Sequence, residues 1–391
     1  MGVRATLRLP VLVLLLTGLS GAAFAEPPPG GDPPKKLDLY GYIKLDMAHD
    51  DSRVNPGNFA RWVESESILM DDSQFSMTAN QTRLGLKIAA PEKNGVKTTG
   101  RVEIDFYGGG ASENKSNPLL RHAWVAFAWP ERDLEVLAGQ GSDIISPLVA
   151  PTVNYSAGWW QGNIGYRRAQ LRVSKGFGLS ENTRLDIAAG PTRTISDSTV
   201  VTGSIDSGAD AAVPTFQGRT GIEFSRPGGR VIDIGVSGHW GKEDQHITDS
   251  MGAIIGHDSV ETRSVNLDVR IPISETLLVQ AEWFSGDNLY SFLGGIGQKG
   301  DLGSSGGWVA ATIAAGERWK FNVGGGIDDP EDGELSAADA RSRNTAFFAN
   351  ANHALTPDLT LAGELMLLET RYLGQEDGDA MRVQLAVLYS F

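Results

Sequence analysis

From Met381 to Phe391 apolar and polar side chains alternate. Met381, Val383, Leu385, Val387, Tyr389 and Phe391 share one phase; Arg382, Gln384, Ala386, Leu388 and Ser390 share the other. A period of two sends successive side chains to opposite faces of a strand, so this segment predicts a strand with one apolar and one wetter face. The alternation recurs upstream. Leu84, Leu86 and Ile88 interleave with Arg83, Gly85 and Lys87, and Ile232, Ile234, Val236 and Trp240 with Asp233, Gly235, Ser237 and His239. Val265, Leu267, Val269 and Ile271 do the same with Ser264, Asn266, Asp268 and Arg270. Helical periodicity is not sustained anywhere beyond the N-terminal region.

About sixteen such segments are predicted, near 37–49, 74–90, 96–108, 118–129, 133–141, 167–175, 182–194, 214–226, 230–242, 260–272, 275–287, 304–315, 317–327, 343–353, 358–372 and 379–391. Every second connection is short and turn-like: PEKN at 91–94, PERD at 130–133, RPGG at 226–229, PISE at 272–275, AGER at 315–318 and TPDL at 356–359. The others, such as 50–73, 195–213, 242–259 and 328–342, are longer, polar and acidic. Short turns alternating with long loops are the asymmetry of an outer-membrane barrel. The fold class predicted is all-β, a transmembrane antiparallel β-barrel of about sixteen strands occupying 37–391. In lipid every backbone N–H and C=O needs an internal partner, and a closed sheet supplies one without edges. A soluble propeller would show blade-length repeats, and none is present. Trp124, Trp129, Trp240, Trp283, Trp308, Trp319, Tyr389 and Phe391 are expected in the aromatic girdles at the two water boundaries. Sixteen strands enclose a lumen too wide to fill with side chains, so such a barrel conducts.

The third long connection departs from the polar rule. Residues 142–168, SDIISPLVAPTVNYSAGWWQGNIGYRR, carry Ile144, Ile145, Leu148, Val149, Val153, Trp159, Trp160 and Ile164. A stretch this apolar is satisfied by folding against the inner wall, where it narrows the channel; burial in a subunit contact is the other reading. Asp143, Asn154, Tyr155, Trp159 and Trp160 are the expected constriction residues on this loop. Arg83, Lys87, Arg101, Arg121, Arg168 and Arg172 fall in the inward phase of the facing strands and form the expected pore-lining basic cluster. A lipid-facing Arg at mid-bilayer would cost about 2–4 kcal/mol, which favours the lumen for them. Glu103 and Asp105 are placed to neutralise part of this cluster, which leaves its net effect open.

The N-terminus predicts export. Arg4 and Arg8 precede the apolar run 9–16, and Ala23-Phe24-Ala25 fits a small-x-small cleavage site, so residues 1–25 read as a signal peptide. Residues 26–36 form a Pro/Gly-rich periplasmic spacer. The apolar run is too short for a spanning helix, and no later segment offers about 18 consecutive apolar residues. Composition narrows the chemistry. The 391 residues contain no cysteine, which removes disulfides, thiol nucleophiles and Cys-bound metals. A net charge of -14 argues against nucleic acid as a partner. The six histidines show no metal spacing and there is no G-x-S-x-G elbow, so no metal, cofactor or catalytic residue is expected. Asp328, Asp329, Glu331, Asp332 and Glu334 crowd one outward loop. They could bridge through divalent cations to lipopolysaccharide, but solvation of the loop is the favoured reading.

The strings LYGYIKLDM, QTRLGLK, NPLLRHAWV, GQGSDIISPLVAPTVNY and GWWQGNIGYRRAQLR, with the terminal Phe391, resemble the DcaP-like family of trimeric outer-membrane porins. The likeness is dense over 39–175 and rests on general barrel features thereafter. The resemblance implies a sixteen-stranded homotrimer in the bacterial outer membrane, its third loop inside the lumen, among lipid and lipopolysaccharide. It also implies passive diffusion of small hydrophilic solutes with a preference for organic anions such as dicarboxylates or aromatic acids. Some members are similar in the barrel but add an N-terminal coiled coil; residues 26–36 here have no heptads. A general non-selective porin and an outer-membrane barrel hydrolase are the alternatives.

Overall fold

The computed structural model describes residues 35–391 except 56–57, 69–71, 111–114, 155–156, 196–206 and 249–253. The expected signal peptide and the spacer up to residue 34 lie outside the described residues, as does Tyr155.

Among the described residues sixteen wall strands close into an antiparallel barrel. They are β1 (Lys36–Asp50), β2 (Gln74–Thr78 continued by Arg83–Ala89), β3 (Lys97–Asp105), β4 (Leu119–Trp129), β5 (Leu134–Ser142), β6 (Arg167–Ser180), β7 (Thr183–Thr192) and β8 (Thr215–Arg226). The second half comprises β9 (Arg230–Thr248), β10 (Ile254–Pro272), β11 (Leu277–Asp287), β12 (Gly303–Ala315), β13 (Trp319–Pro330), β14 (Arg341–Ala354), β15 (Leu359–Tyr372) and β16 (Gly378–Ser390). Each pairs with its chain neighbours, and β1 closes on β16 from Tyr42↔Ser390 to Asp50↔Arg382. Phe391 extends the seam, exchanging both backbone hydrogen bonds with Gly41 at 3.1 Å. With no free edge, every wall strand can satisfy its backbone inside an apolar medium.

The alternation follows the expected phases. Met381, Val383, Leu385, Val387, Tyr389 and Phe391 are exposed on the outside, while Arg382, Gln384 and Ala386 are buried inside. Trp240, Trp283 and Trp319 also face outward. Trp124 and Trp308 do not. Trp124 sits opposite Arg101 and therefore shares its inward face. Trp308 is buried and donates its indole N–H to Glu282 at 3.1 Å. Both positions satisfy the alternation rule of their own strands, which turns them inward and away from the girdles.

Long connections lie at one end of the barrel and short turns at the other. PERD, for example, is a 3-10 turn over Pro130–Arg132 ended by Asp133 at φ 49°, a conformation Asp tolerates better than most residues. Three long connections fold inward: the first, 51–73 (L1), the third, 143–166 (L3), and the sixth, 288–302 (L6). L3 was expected there; L1, expected as a polar outward loop, was not. L1 forms a two-stranded ribbon, Val54–Asn55 with Trp62–Val63, whose Val54, Ala60 and Val63 join Ala150 and Ala157 of L3 and wall residues Trp308, Phe348, Met366 and Leu368 in one cluster. L6 contributes Leu289 and Phe292 to a second cluster with Ile145 and Ile164 of L3 and Phe284 of β11. The expected loop 242–259 is largely a hairpin instead, because β9 and β10 stay paired out to Thr248↔Ile254.

The glycine content gains a purpose at the L3 contact. A Cβ on Gly326 would stand 2.1 Å from the Gln161 carbonyl oxygen, and one on Gly162 2.1 Å from that of Gly307. Backbone therefore lies directly on backbone where L3 crosses β12 and β13.

Candidate functional site

L3 leaves the wall at Asp143 and is tied down strand by strand. The Ile144 amide donates to Gln217 on β8 at 2.7 Å, and the Leu148 amide to the Glu282 carboxylate on β11 at 2.7 Å. The Val153 and Asn154 amides both donate to Glu364 on β15, at 2.8 and 3.2 Å, and Asn350 on β14 donates to the Pro151 carbonyl at 2.8 Å. Lys44 of β1 donates to the Val153 carbonyl at 2.7 Å. Carboxylates accepting backbone N–H groups in a partly dehydrated space make strong anchors. The loop thus hugs the wall from β8 round through β16 to Lys44 of β1, and leaves open the side running from Tyr42 of β1 to β6.

That open side is a cavity of about 320 Å³. From the wall it is lined by Tyr42, Arg83, Arg121 and Arg167; from L3 by Asp143, Ser146, Pro147, Thr152, Trp159 and Tyr166, among others. Three guanidiniums therefore face the opening against one carboxylate, and Asp143 is already committed. Its side chain is fully buried and accepts from Arg168 Nε at 2.9 Å, Gln217 Nε2 at 2.8 Å and the Tyr166 amide at 2.7 Å.

The porin fold is now unmistakable. No protein-family model and no curated protein matches the chain, but solved structures do. The outer-membrane channel DcaP of Acinetobacter baumannii superposes with a TM-score of 0.72 at 18% identity, over 91% of this chain and 97% of that one. An anion-selective porin from Comamonas acidovorans gives 0.61 at 13% identity, over 92% and 100%. OmpT, an outer-membrane protein of Vibrio cholerae in a trimer form, gives 0.56 at 9% identity, over 91% and 99%.

The predicted basic cluster divides in three. Arg83 and Arg121 line the cavity, on a carboxylate bed: Arg121 donates to Glu103 at 3.0 Å and Asp105 at 2.6 Å, and Arg83 lies 3.5 Å from Glu103. Arg121 reaches the lumen through a bulge. The ladder pairs Glu103↔His122 and then Ile104↔Leu120, leaving Arg121 as the extra residue, turned inward beside His122. Lys87, Arg101 and Arg172 share the inward phase toward the short-turn end, outside this cavity. Arg101 donates to the Tyr40 hydroxyl at 2.6 Å and to Glu103, while Lys87 lies 4.7 Å from the Tyr40 ring centroid. Arg172 lies opposite Leu137, its Nε buried without a partner.

Arg168 corrects the prediction. It is withdrawn from the lumen: its relative exposure is 1%, its Nη2 donates to the Ser291 carbonyl of L6 at 2.7 Å, and its guanidinium lies 3.6 Å from the Phe292 ring centroid. It fastens the root of L3 to L6. The L3 residues divide as well. Asp143 and Trp159 line the cavity. Asn154 is buried on the far wall, donating to the Asn58 carbonyl at 3.0 Å and Gln384 at 3.1 Å, and Trp160 packs edge-on against Trp62 of L1. Neither lines the opening. Arg167, Tyr42 and Tyr166 were missed. Tyr42 was readable, since it shares the inward phase of β1 with Lys44; Arg167 was not, because alternation from Arg168 assigns it outward and lapses where β6 begins.

The acidic loop residues do not converge. Asp328 is buried and accepts from Ser304 at 2.6 Å and the Ile296 amide at 3.1 Å, Asp329 pairs with Arg343 at 2.9 Å, and Glu334 accepts the Gly303 amide at 2.6 Å. Among the described residues no group of three or more metal-ligating side chains is assembled.

Proposed function

We propose that the chain is an outer-membrane porin, a passive channel and not an enzyme, which passes small hydrophilic solutes and prefers organic anions such as dicarboxylates or aromatic acids. The observation that carries this reading is the cavity between L3 and the β1–β6 wall, with Arg83, Arg121 and Arg167 on one side and a single, fully bonded carboxylate on the other. Where a pore is narrow its low-dielectric walls focus the field of nearby charges, so this ring outweighs the acidic outer loops. Those loops lie further off, and their field decays over about 8 Å at physiological ionic strength. Guanidinium forks match carboxylate geometry, and Tyr42, Tyr166 and Trp159 offer flat contacts to an aromatic body. Lys87, Arg101 and Arg172 continue the basic lining toward the short-turn end.

A signal peptide over 1–25, a spacer over 26–36 and an outer-membrane setting among lipid and lipopolysaccharide belong to the same reading. So does a homotrimer. Leu39, Ile43, Phe75 and Met77 on β1 and β2 and Leu385 on β16 present a contiguous exposed apolar face, and the Vibrio cholerae protein is recorded in a trimer form. A general non-selective porin is the second reading, favoured by the pairing of Arg83, Arg101 and Arg121 with Glu103.

The reversal potential of the purified protein in a planar bilayer under a KCl gradient decides between them. Anion preference is expected. A potential near zero would favour the non-selective channel, and cation preference or no conductance would refute the anion reading.

A further inference from the structure

Arg61 of L1 and Arg341, the first residue of β14, meet on one indole. Their guanidinium carbons lie 4.4 and 4.0 Å from the Trp62 ring centroid, and Arg61 lies 5.4 Å from that of Trp160 on L3. Trp62 is buried and edge-on to Trp160, so the platform is rigid. Neither guanidinium has a carboxylate within salt-bridge distance among the described residues. Arg61 donates through Nη2 to the Asn55 side chain at 2.7 Å while its Nε is buried without a partner; Arg341 donates through Nε to the Ile296 carbonyl at 3.1 Å. Burial first, and the Arg341 charge second, press Arg61 down to about 10. Two half-buried cations held together on an aromatic face have no carboxylate in direct contact; Glu64, which accepts from the Asn55 amide, offsets their charge only from beyond salt-bridge distance, so the interaction is unfinished. Stacking on indole attracts each cation but does nothing for their mutual repulsion.

The cluster lies on the way to the constriction. Arg341 opens β14 at the long-loop end. Asn344, further along, donates to the Arg61 and Trp160 carbonyls at 2.7 Å, and Asn350, deeper still, holds Pro151 of L3. Trp160 is also the chain neighbour of Trp159, which lines the cavity. The cluster thus lies on the long-loop side of the constriction.

We propose that Arg61, Trp62, Trp160 and Arg341 form a docking subsite for small aromatic carboxylates at the outer mouth, upstream of the constriction. The proposal rests on the anion-porin reading above and adds a second, outer station to it. The carboxylate takes the free N–H groups of the paired guanidiniums, and the ring of the solute lies against the part-exposed Trp160 indole. An aliphatic carboxylate of the same charge gains only the first contact. The subsite therefore discriminates by aromatic body, whereas the deeper ring discriminates by charge.

The test uses the full-length protein in planar bilayers, with benzoate and then acetate added to either side at fixed KCl, reading the rate of brief current blocks. Benzoate on the long-loop side should block the wild type more often than acetate does. In the Arg61→Gln/Arg341→Gln double variant the benzoate block rate should fall about tenfold, the lower end of what electrostatic capture contributes, while the KCl reversal potential stays as in wild type. Arg343→Gln, which removes a neighbouring cation already paired with Asp329, should leave the block rate unchanged. An unchanged rate in the double variant, or an equal fall in Arg343→Gln, would overturn the subsite. Should the double variant fail to insert, Arg61→Lys and Arg341→Lys keep the charge and lose the fork. Each should lower benzoate block by a smaller factor, and wild-type rates in both would also overturn it. A wild type without anion preference would instead sink the anion-porin reading, since the reversal potential reads the deeper ring and the block rate the mouth.

Discussion

Arg168 Nε and Asp143 Oδ1 lie 2.9 Å apart with both side chains out of water, at the point where L3 leaves the wall. The same guanidinium holds L6 through the Ser291 carbonyl, so one residue locks two inward loops to β6. Removing one partner of such a pair strands the other charge in a dry environment, which costs about 3–5 kcal/mol. Arg168→Ala is therefore expected to loosen the loop rather than alter the charge of the opening. Single-channel recordings should show larger, noisier conductance with anion preference retained; quiet wild-type conductance would contradict the latch.

Arg83 and Arg167 act at the opening itself. Replacing both by Ala leaves Arg121 facing Glu103 and Asp105, so the local positive excess disappears. The reversal potential under a KCl gradient should move toward zero or change sign, with the folded barrel intact in a heat-modifiability gel. An unmoved potential would take selectivity away from this ring.

Glu103 is the common counter-ion beneath Arg83, Arg101 and Arg121, and it also accepts the Tyr40 hydroxyl at 2.8 Å. Glu103→Gln keeps the shape and removes the charge that three guanidiniums share. Lower thermal stability, by a few kcal/mol in unfolding free energy, is expected for uncompensating a buried cluster. Channels that do fold should show stronger anion preference. Unchanged stability together with unchanged selectivity would mean that water, not Glu103, balances these cations.

Val309 lies mid-strand on β12 with its side chain exposed on the outside, next to buried Ala310. Val309→Arg should cost about 2–4 kcal/mol if that face meets hydrocarbon. Equilibrium unfolding from lipid vesicles measures this directly. A neutral result would remove Val309 from the apolar band.

The wall was legible along the chain. Period-two alternation is local, so the sixteen strands could be read from it, with their inward and outward phases wherever it ran unbroken, and turn chemistry ordered short against long connections. The break in β2 at 79–82 escaped it, because there the Thr82 hydroxyl, not a backbone carbonyl, takes the Lys44 amide. L3 was legible because eight large apolar residues in one connection have no place in water. L1 and L6 were not, since Trp62 and Phe292 look like stray aromatics until their partners are known. The Val63 amide finds the Thr370 hydroxyl 307 residues away, and Phe292 finds Arg168 and His239 from two other strands. The tertiary structure also decided which cations reach the pore. Arg121 enters it through a bulge and Arg168 is drawn out of it by L6, for contacts across the lumen are set by where loops cross the wall, and no period along the chain encodes that.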